Sequence, residues 1–211
     1  MRSASRLTAA AFGIFAGFSG IQHGFYEVLQ GNVRPSGVMI NSFGPQCQPE
    51  KVWHACEPAM TLIPDFFWAG ILAMMVGLIA LIWAVAFVQR RNGRVILVLL
   101  SIAQLLVGGG LIPPLIGIAA GVVGTRINTP FPWWRAHLAG KTLGFLATVW
   151  PWSLAVFVVW TSMLYPVGYF YGDFLMKNGY LILPLVLGPL LLTIPAAFAR
   201  DIRQGDRRAA A

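Results

Sequence analysis

Residues 95–124 read VILVLLSIAQLLVGGGLIPPLIGIAAGVVG, an apolar stretch broken in its middle by Gly108-Gly109-Gly110 and Pro113-Pro114. As one straight helix it would run roughly 45 Å, well beyond the roughly 30 Å hydrocarbon core of a bilayer. The break therefore predicts a helical hairpin whose two ends emerge on the same side. Each arm holds about 14 apolar residues, roughly 21 Å of helix, so the pair enters without crossing and must be buried against protein.

Composition agrees that the solvent is lipid. The 211 residues are 57% hydrophobic and 10% charged, with a mean hydropathy of +0.71, outside the range of soluble globular domains. Working outward from the hairpin, a first span is expected from Leu7 to Gln30 and a second within Pro58 to Val88, with Pro64 at its start or at a kink. A third span is expected from about Trp150 to Tyr165, with a start nearer Thr142 as the alternative. The last, Leu181 to Ala199, is interrupted by Pro184, Pro189 and Pro195 and stopped by Arg200. The fold class is thus all-α: a polytopic transmembrane helical bundle of four full spans plus the Gly/Pro-broken hairpin, one integral-membrane domain over residues 1–211. The charged start, Met1 to Arg6, also fits a cleavable signal peptide. No A-x-A site follows, and the apolar run is long enough to span, which predicts an uncleaved first helix.

Charge sets the threading. The net charge of +8 is carried by residues that flank apolar runs, among them Arg2, Arg6, Arg90, Arg91, Arg94, Arg200, Arg203, Arg207 and Arg208. Such placement serves topology rather than nucleic-acid binding. If residues 95–124 crossed once, the carboxy-terminal arginines and the Arg126, Arg135 and Lys141 group would lie opposite the amino terminus. If they turn back, every basic cluster lies on one side, the cytoplasmic one by the positive-inside tendency. Residues 31–57 then form an extracytoplasmic loop. Residues 125–141, with Trp133 and Trp134 beside cations, form an interfacial cytoplasmic segment, and Tyr165 to Tyr180 connects spans at the far interface. The partners this implies are the lipid bilayer and a further membrane protein, with no nucleic acid.

Three features carry candidate chemistry. Cys47 and Cys56, the only cysteines, share the extracytoplasmic loop, which favours a disulfide; free thiols, or a metal site with His54, are the alternatives. His23 and Glu27 stand four apart on one face of the first span, and Glu57 and Asp65 stand at the matching end of the second. These four form a candidate polar site. It is either a set of residues at interface depth, with Glu57 favouring a helix start, or an outward-facing proton or substrate pocket. The third candidate is the break itself, Gly108, Gly109, Gly110, Pro113 and Pro114, since interrupted helices expose backbone groups that bind ions. Such breaks also occur as plain packing features, which is the bland reading here. Gln104, near the middle of the first arm, is placed to bond across helices or to line a polar route. The stripe Gly13, Gly17, Gly20 and Gly24, and the glycines Gly117, Gly121 and Gly124, read as close helix packing.

Gly24 to Asn32, Glu57-Pro58-Ala59-Met60-Thr61 with Ile63-Pro64, and the Gly108 to Pro114 break followed by Thr125-Arg126-Ile127-Asn128 and Trp133-Trp134-Arg135 resemble a group of small uncharacterised bacterial multi-pass membrane proteins. The resemblance implies a bacterial cytoplasmic membrane and carries over no catalytic residue; the two cysteines lie outside it. Phosphate-binding loops, H-E-x-x-H, G-x-S-x-G and haem-attachment motifs do not occur, and no cofactor is expected. Function is expected to be that of a transport or accessory membrane component. A membrane-embedded enzyme with an outward-facing polar site and a structural subunit of a membrane complex are the alternatives.

Overall fold

The computed structural model describes residues 3–41, 58–127, 129 and 131–209. The chain folds as α1 (Ala4–Val28), β1 (Met39–Asn41), β2 (Pro58–Met60), α2 (Phe66–Ala86), α3 (Gly93–Leu106), α4 (Ile112–Gly124), α5 (Pro132–His137), α6 (Gly140–Phe170), α7 (Gly172–Lys177) and α8 (Gly179–Ala209). Four helices, α1, α2, α6 and α8, are long and apolar enough to cross a membrane, and α3 and α4 are shorter apolar helices. The expected all-α bundle with a broken hairpin is the observed architecture.

The burial pattern is that of a protein in lipid. On α2 the buried positions are Phe66 and the small residues Ala69, Gly70, Ala73, Gly77, Ala80 and Ala84. Its large side chains, among them Trp68, Leu78, Ile79, Ile82 and Val85, point outward. In water such an apolar belt would not persist; in a bilayer it is the lipid-facing surface.

The small-residue stripe of α1 serves two neighbours. Gly17 lies against Gly77, Gly24 against Gly70, and Gly13 against Ala84, so α1 and α2 run antiparallel in backbone contact. Gly20 instead receives the Gln104 side chain from α3. Along the hairpin, Gly117 abuts Ser101, Gly121 abuts Val98, and Gly124 meets Arg94, so α4 returns antiparallel along α3 and ends beside its start.

The basic clusters gather at one end of the bundle. The backbone N–H groups of Ala4 and Ser5 donate to the two carboxylate oxygens of Asp201 at 2.6 and 3.0 Å, tying the start of α1 to the end of α8. Arg203 lies beside Gly144 at the start of α6, and Arg135 of α5 pairs with Asp206. Val88, Ile127, Phe131, Leu143 and Ile202 share one core with Ala9 and Phe12. The turn between α2 and α3 is therefore at the same end as both termini of the described chain. At mid-depth the core is centred on Phe12 and Phe157, whose ring centroids are 4.7 Å apart.

Several expected boundaries move. The third span starts at Gly140, close to the alternative start near Thr142 and not at Trp150, and continues through Phe170. A proline usually opens a helix, yet Pro151 sits inside α6. The carbonyl it frees, that of Ala147, receives Arg200 Nη1 at 3.4 Å. The thirty-one residues of α6 make a rod of roughly 46 Å, longer than the hydrocarbon core. It takes up part of what reads as a connection, the rest of which is α7 and the start of α8. Arg200 ends the apolar run but not the helix, which continues to Ala209. Charge sets where a span leaves lipid; helix propensity sets where the helix stops. In the 125–141 segment Trp133 is exposed and stacks on His137, with centroids 4.8 Å apart, while Trp134 packs edge-on against Phe198.

Candidate functional site

The break between α3 and α4 is built by three glycines and closed by a strand. Gly108 and Gly110 adopt φ values of +99° and +87°, a left-handed backbone open to glycine at little cost. Gly109 leaves no room for a side chain, because one would overlap Gln104. Pro113 and Pro114 lie in the first turn of α4, where their missing N–H groups remove no helical bond. Breaking a helix within lipid strands backbone polar groups. Here the end of β2 and the residues just after it answer them. Met60 accepts from Gly108 N at 2.9 Å, and Leu62 N donates to the Leu106 carbonyl at 2.8 Å, with Thr61 bridged to Val107.

That strand is itself positioned by the start of α2. β1 and β2 pair antiparallel with Ile40 opposite Ala59, and both residues pack on Phe66. Gly31, at φ +72° just past α1, accepts from Phe67 N at 3.1 Å, and Val33 accepts from Phe66 N at 3.0 Å. Asp65 caps α2, accepting from Trp68 N at 3.0 Å.

Against this closed break stands the polar face of α1. Glu27 is 0% exposed and His23 2%. The Glu27 carboxyl group lies so close to Gly108 that a side chain there would overlap both of its oxygens, and His23 Nε2 lies alongside Gly110. Among the described residues, neither Glu27 oxygen has a hydrogen-bond partner. Gln104, also 0% exposed, donates from Nε2 to the Ala16 carbonyl at 2.8 Å, while its Oε1 is buried without a partner. Three oxygens in one buried region are thus left unbonded, and burying such groups is costly unless something binds them.

The structure joins two of the candidate sites into one. His23 and Glu27 of the polar cluster meet Gly108, Gly109 and Gly110 of the break, with Gln104 beside them. Asp65 is not part of this group; its carboxylate is occupied at the helix cap. Pro113 and Pro114 start α4 and contribute geometry rather than ligands. Glu57, and the Cys47 and Cys56 pair with His54, lie outside the described residues. Sequence reasoning missed the segment from Met60 to Leu62, the end of β2 and the two residues after it, as the clamp of the break. The signal available was the need, in lipid, for some segment to satisfy the backbone the glycines expose.

No cluster of three metal-ligating side chains occurs among the described residues. A separate groove of about 540 Å³, lined by Ala11, Ile14, Phe15, Phe18, Val158, Ser162 and Tyr165, runs between α1 and α6. At its edge Ser19 and Tyr165 share a 2.7 Å hydrogen bond. No known family, curated protein or solved structure matches the chain significantly.

Proposed function

We propose that this chain is a transport component of a bacterial cytoplasmic membrane, its termini and the Arg90 turn facing the cytoplasm, in which the Glu27 carboxyl at the glycine break takes up a positively charged species. One observation supports this reading: a carboxyl group fully buried on a membrane-spanning helix, both oxygens without a hydrogen-bond partner among the described residues. A packing role would not require such a group, since a buried carboxylate in a membrane protein is costly, on the order of 2.5 to 3.5 kcal/mol at mid-bilayer. Broken helices facing buried polar groups are how membrane transporters build ion sites. The orientation is supported by the basic residues gathered at the end opposite Glu27, under the positive-inside tendency, and the bacterial membrane is what the resemblance in sequence implies.

The test is ion movement by the whole chain in sealed lipid vesicles. With an imposed diffusion potential and a pH-sensitive or sodium-sensitive dye inside, the wild type should carry protons or sodium, and Glu27→Gln should lose at least about tenfold of that rate. Equal rates for wild type, Glu27→Gln and protein-free vesicles would refute the reading.

A further inference from the structure

The geometry points to a lipid-headgroup site: Lys141 of α6 with Arg200 and Arg203 of α8 bind the phosphate of a net-anionic phospholipid at the seam of the two helices. The site lies at the end of the bundle where the basic residues gather and stands apart from Glu27.

Helix periodicity lays out the seam. Residues 141, 144 and 147 recur three apart and so share one face of α6, and Arg200 and Arg203 share one face of α8 in the same way. The two faces meet in antiparallel order. Arg200 Nη1 donates to the Ala147 carbonyl at 3.4 Å, and Arg203 lies over Gly144, where an added side-chain carbon would stand 3.1 Å from its Nη1. Glycine at 144 thus lets a guanidinium rest on the helix, one turn from Lys141. Lys141 and Arg203 are both exposed, within reach of a ligand.

Little of this charge is balanced from within. Helix α6 carries no acidic residue and α8 only Asp201 and Asp206. Asp201 accepts from the backbone N–H groups of Ala4 and Ser5, and Asp206 pairs with Arg135. Among the described residues neither Lys141 nor Arg203 has an ion pair or a hydrogen bond, and Arg200 Nε is buried without a partner.

Depth selects the ligand. Both α6 and α8 are long and apolar enough to cross a membrane. Arg200 ends the apolar run of α8 and Lys141 precedes that of α6, so the three cations stand at headgroup level, where the exposed Trp133 of the preceding helix also belongs. A guanidinium presents a planar fork that matches two phosphate oxygens, and lysine adds a point charge. Basic pockets between spans hold anionic headgroups in this way. A zwitterionic lipid brings its own cation and gains less. Free phosphate lacks the chains that keep a headgroup at this depth.

Native mass spectrometry of the full chain, released from nonionic detergent and titrated with phosphatidylglycerol, phosphatidylcholine or inorganic phosphate, tests this. A cation beside an anionic headgroup is worth about fivefold in affinity, so three should favour phosphatidylglycerol over phosphatidylcholine by about a hundredfold. Arg203→Gln and Lys141→Gln should each lose about fivefold of phosphatidylglycerol affinity. Gly144→Leu, which displaces the Arg203 guanidinium, should lose as much with no change in charge. Arg91→Gln, in the turn between α2 and α3 at the same end of the bundle, should lose nothing. Equal binding of the two lipids by the wild type would overturn the site, and that comparison stands whether or not a variant folds. A loss in Arg91→Gln equal to that in Arg203→Gln would overturn it in favour of unspecific attraction between charges. Inorganic phosphate bound as tightly as phosphatidylglycerol would overturn the lipid as the ligand.

Discussion

Replacing Gly17 by Ala separates the packing account from a merely apolar one, because the same change elsewhere should act in the opposite direction. A methyl carbon at Gly17 would lie 2.5 Å from the Gly77 carbonyl oxygen, 2.7 Å from Leu81 Cβ and 2.8 Å from Leu81 N. Two of those three atoms are backbone, so the strain cannot be relieved by rotating a side chain. Helices α1 and α2 must part by roughly 0.7 Å along this line to restore contact distance, loosening the neighbouring Gly24–Gly70 approach as well. Overpacking of this kind costs about 1 to 3 kcal/mol, and the rigid neighbours put it near the upper value. Helix propensity returns about 1 kcal/mol for Gly→Ala. The net expectation is destabilisation by about 2 kcal/mol. At Gly205, exposed on α8 with only the flexible Arg135 tip nearby at 3.7 Å, Gly→Ala should stabilise by about 0.5 to 1 kcal/mol. Reversible unfolding in mixed micelles, followed by tryptophan fluorescence, reads both. The double variant with Gly77→Ala should cost less than the sum of its singles, since the two methyl groups part the same pair of helices. A Gly17→Ala protein as stable as Gly205→Ala would refute the backbone contact.

Other outcomes follow from single contacts. Asp201→Ala removes the carboxylate that accepts from Ala4 N and Ser5 N and should cost about 1 kcal/mol in the same unfolding assay, as loss of a helix cap does. Phe157→Ala empties the space beside Phe12. Because lipid is as apolar as the bundle interior, only the packing part of a core truncation is lost, so about 2 kcal/mol is expected rather than the larger values seen in water. Cys47 and Cys56 should be joined in the native protein. Two alkyl groups on unfolded, unreduced chain in intact mass would show that they are not.

What the sequence made legible was whatever lipid makes obligatory. The length limit on residues 95–124, the glycines and the prolines required a return at residues 108–114. The spacing of Gly13, Gly17 and Gly24 required a close helix. Which helix was not legible: the stripe does not say that Gly20 turns toward Gln104 while its neighbours meet α2. That division depends on the angle between helices, set by packing at a distance in sequence. Likewise His23 and Glu27 could be placed on one face, but not against the break, since that contact joins α1 to residues some eighty positions later. Grouping Asp65 with them was reasonable from membrane depth. Its role is local, because Asp before an apolar run is also a strong helix cap. Pro151 misled the boundary of α6 because its freed carbonyl is answered from another helix, by Arg200.

The central claim is that the chain turns back at Gly108–Gly110, which puts the start of α3 and the end of α8 on one side. Paired reporters, one fluorescent only in the cytoplasm and one active only outside it, can be fused within the turn at Asn92 and after Ala211. The account predicts the cytoplasmic reporter active at both positions and the external one silent at both. Activity on opposite sides for the two positions would mean that residues 95–124 cross the membrane, and it would contradict the hairpin and the site built upon it.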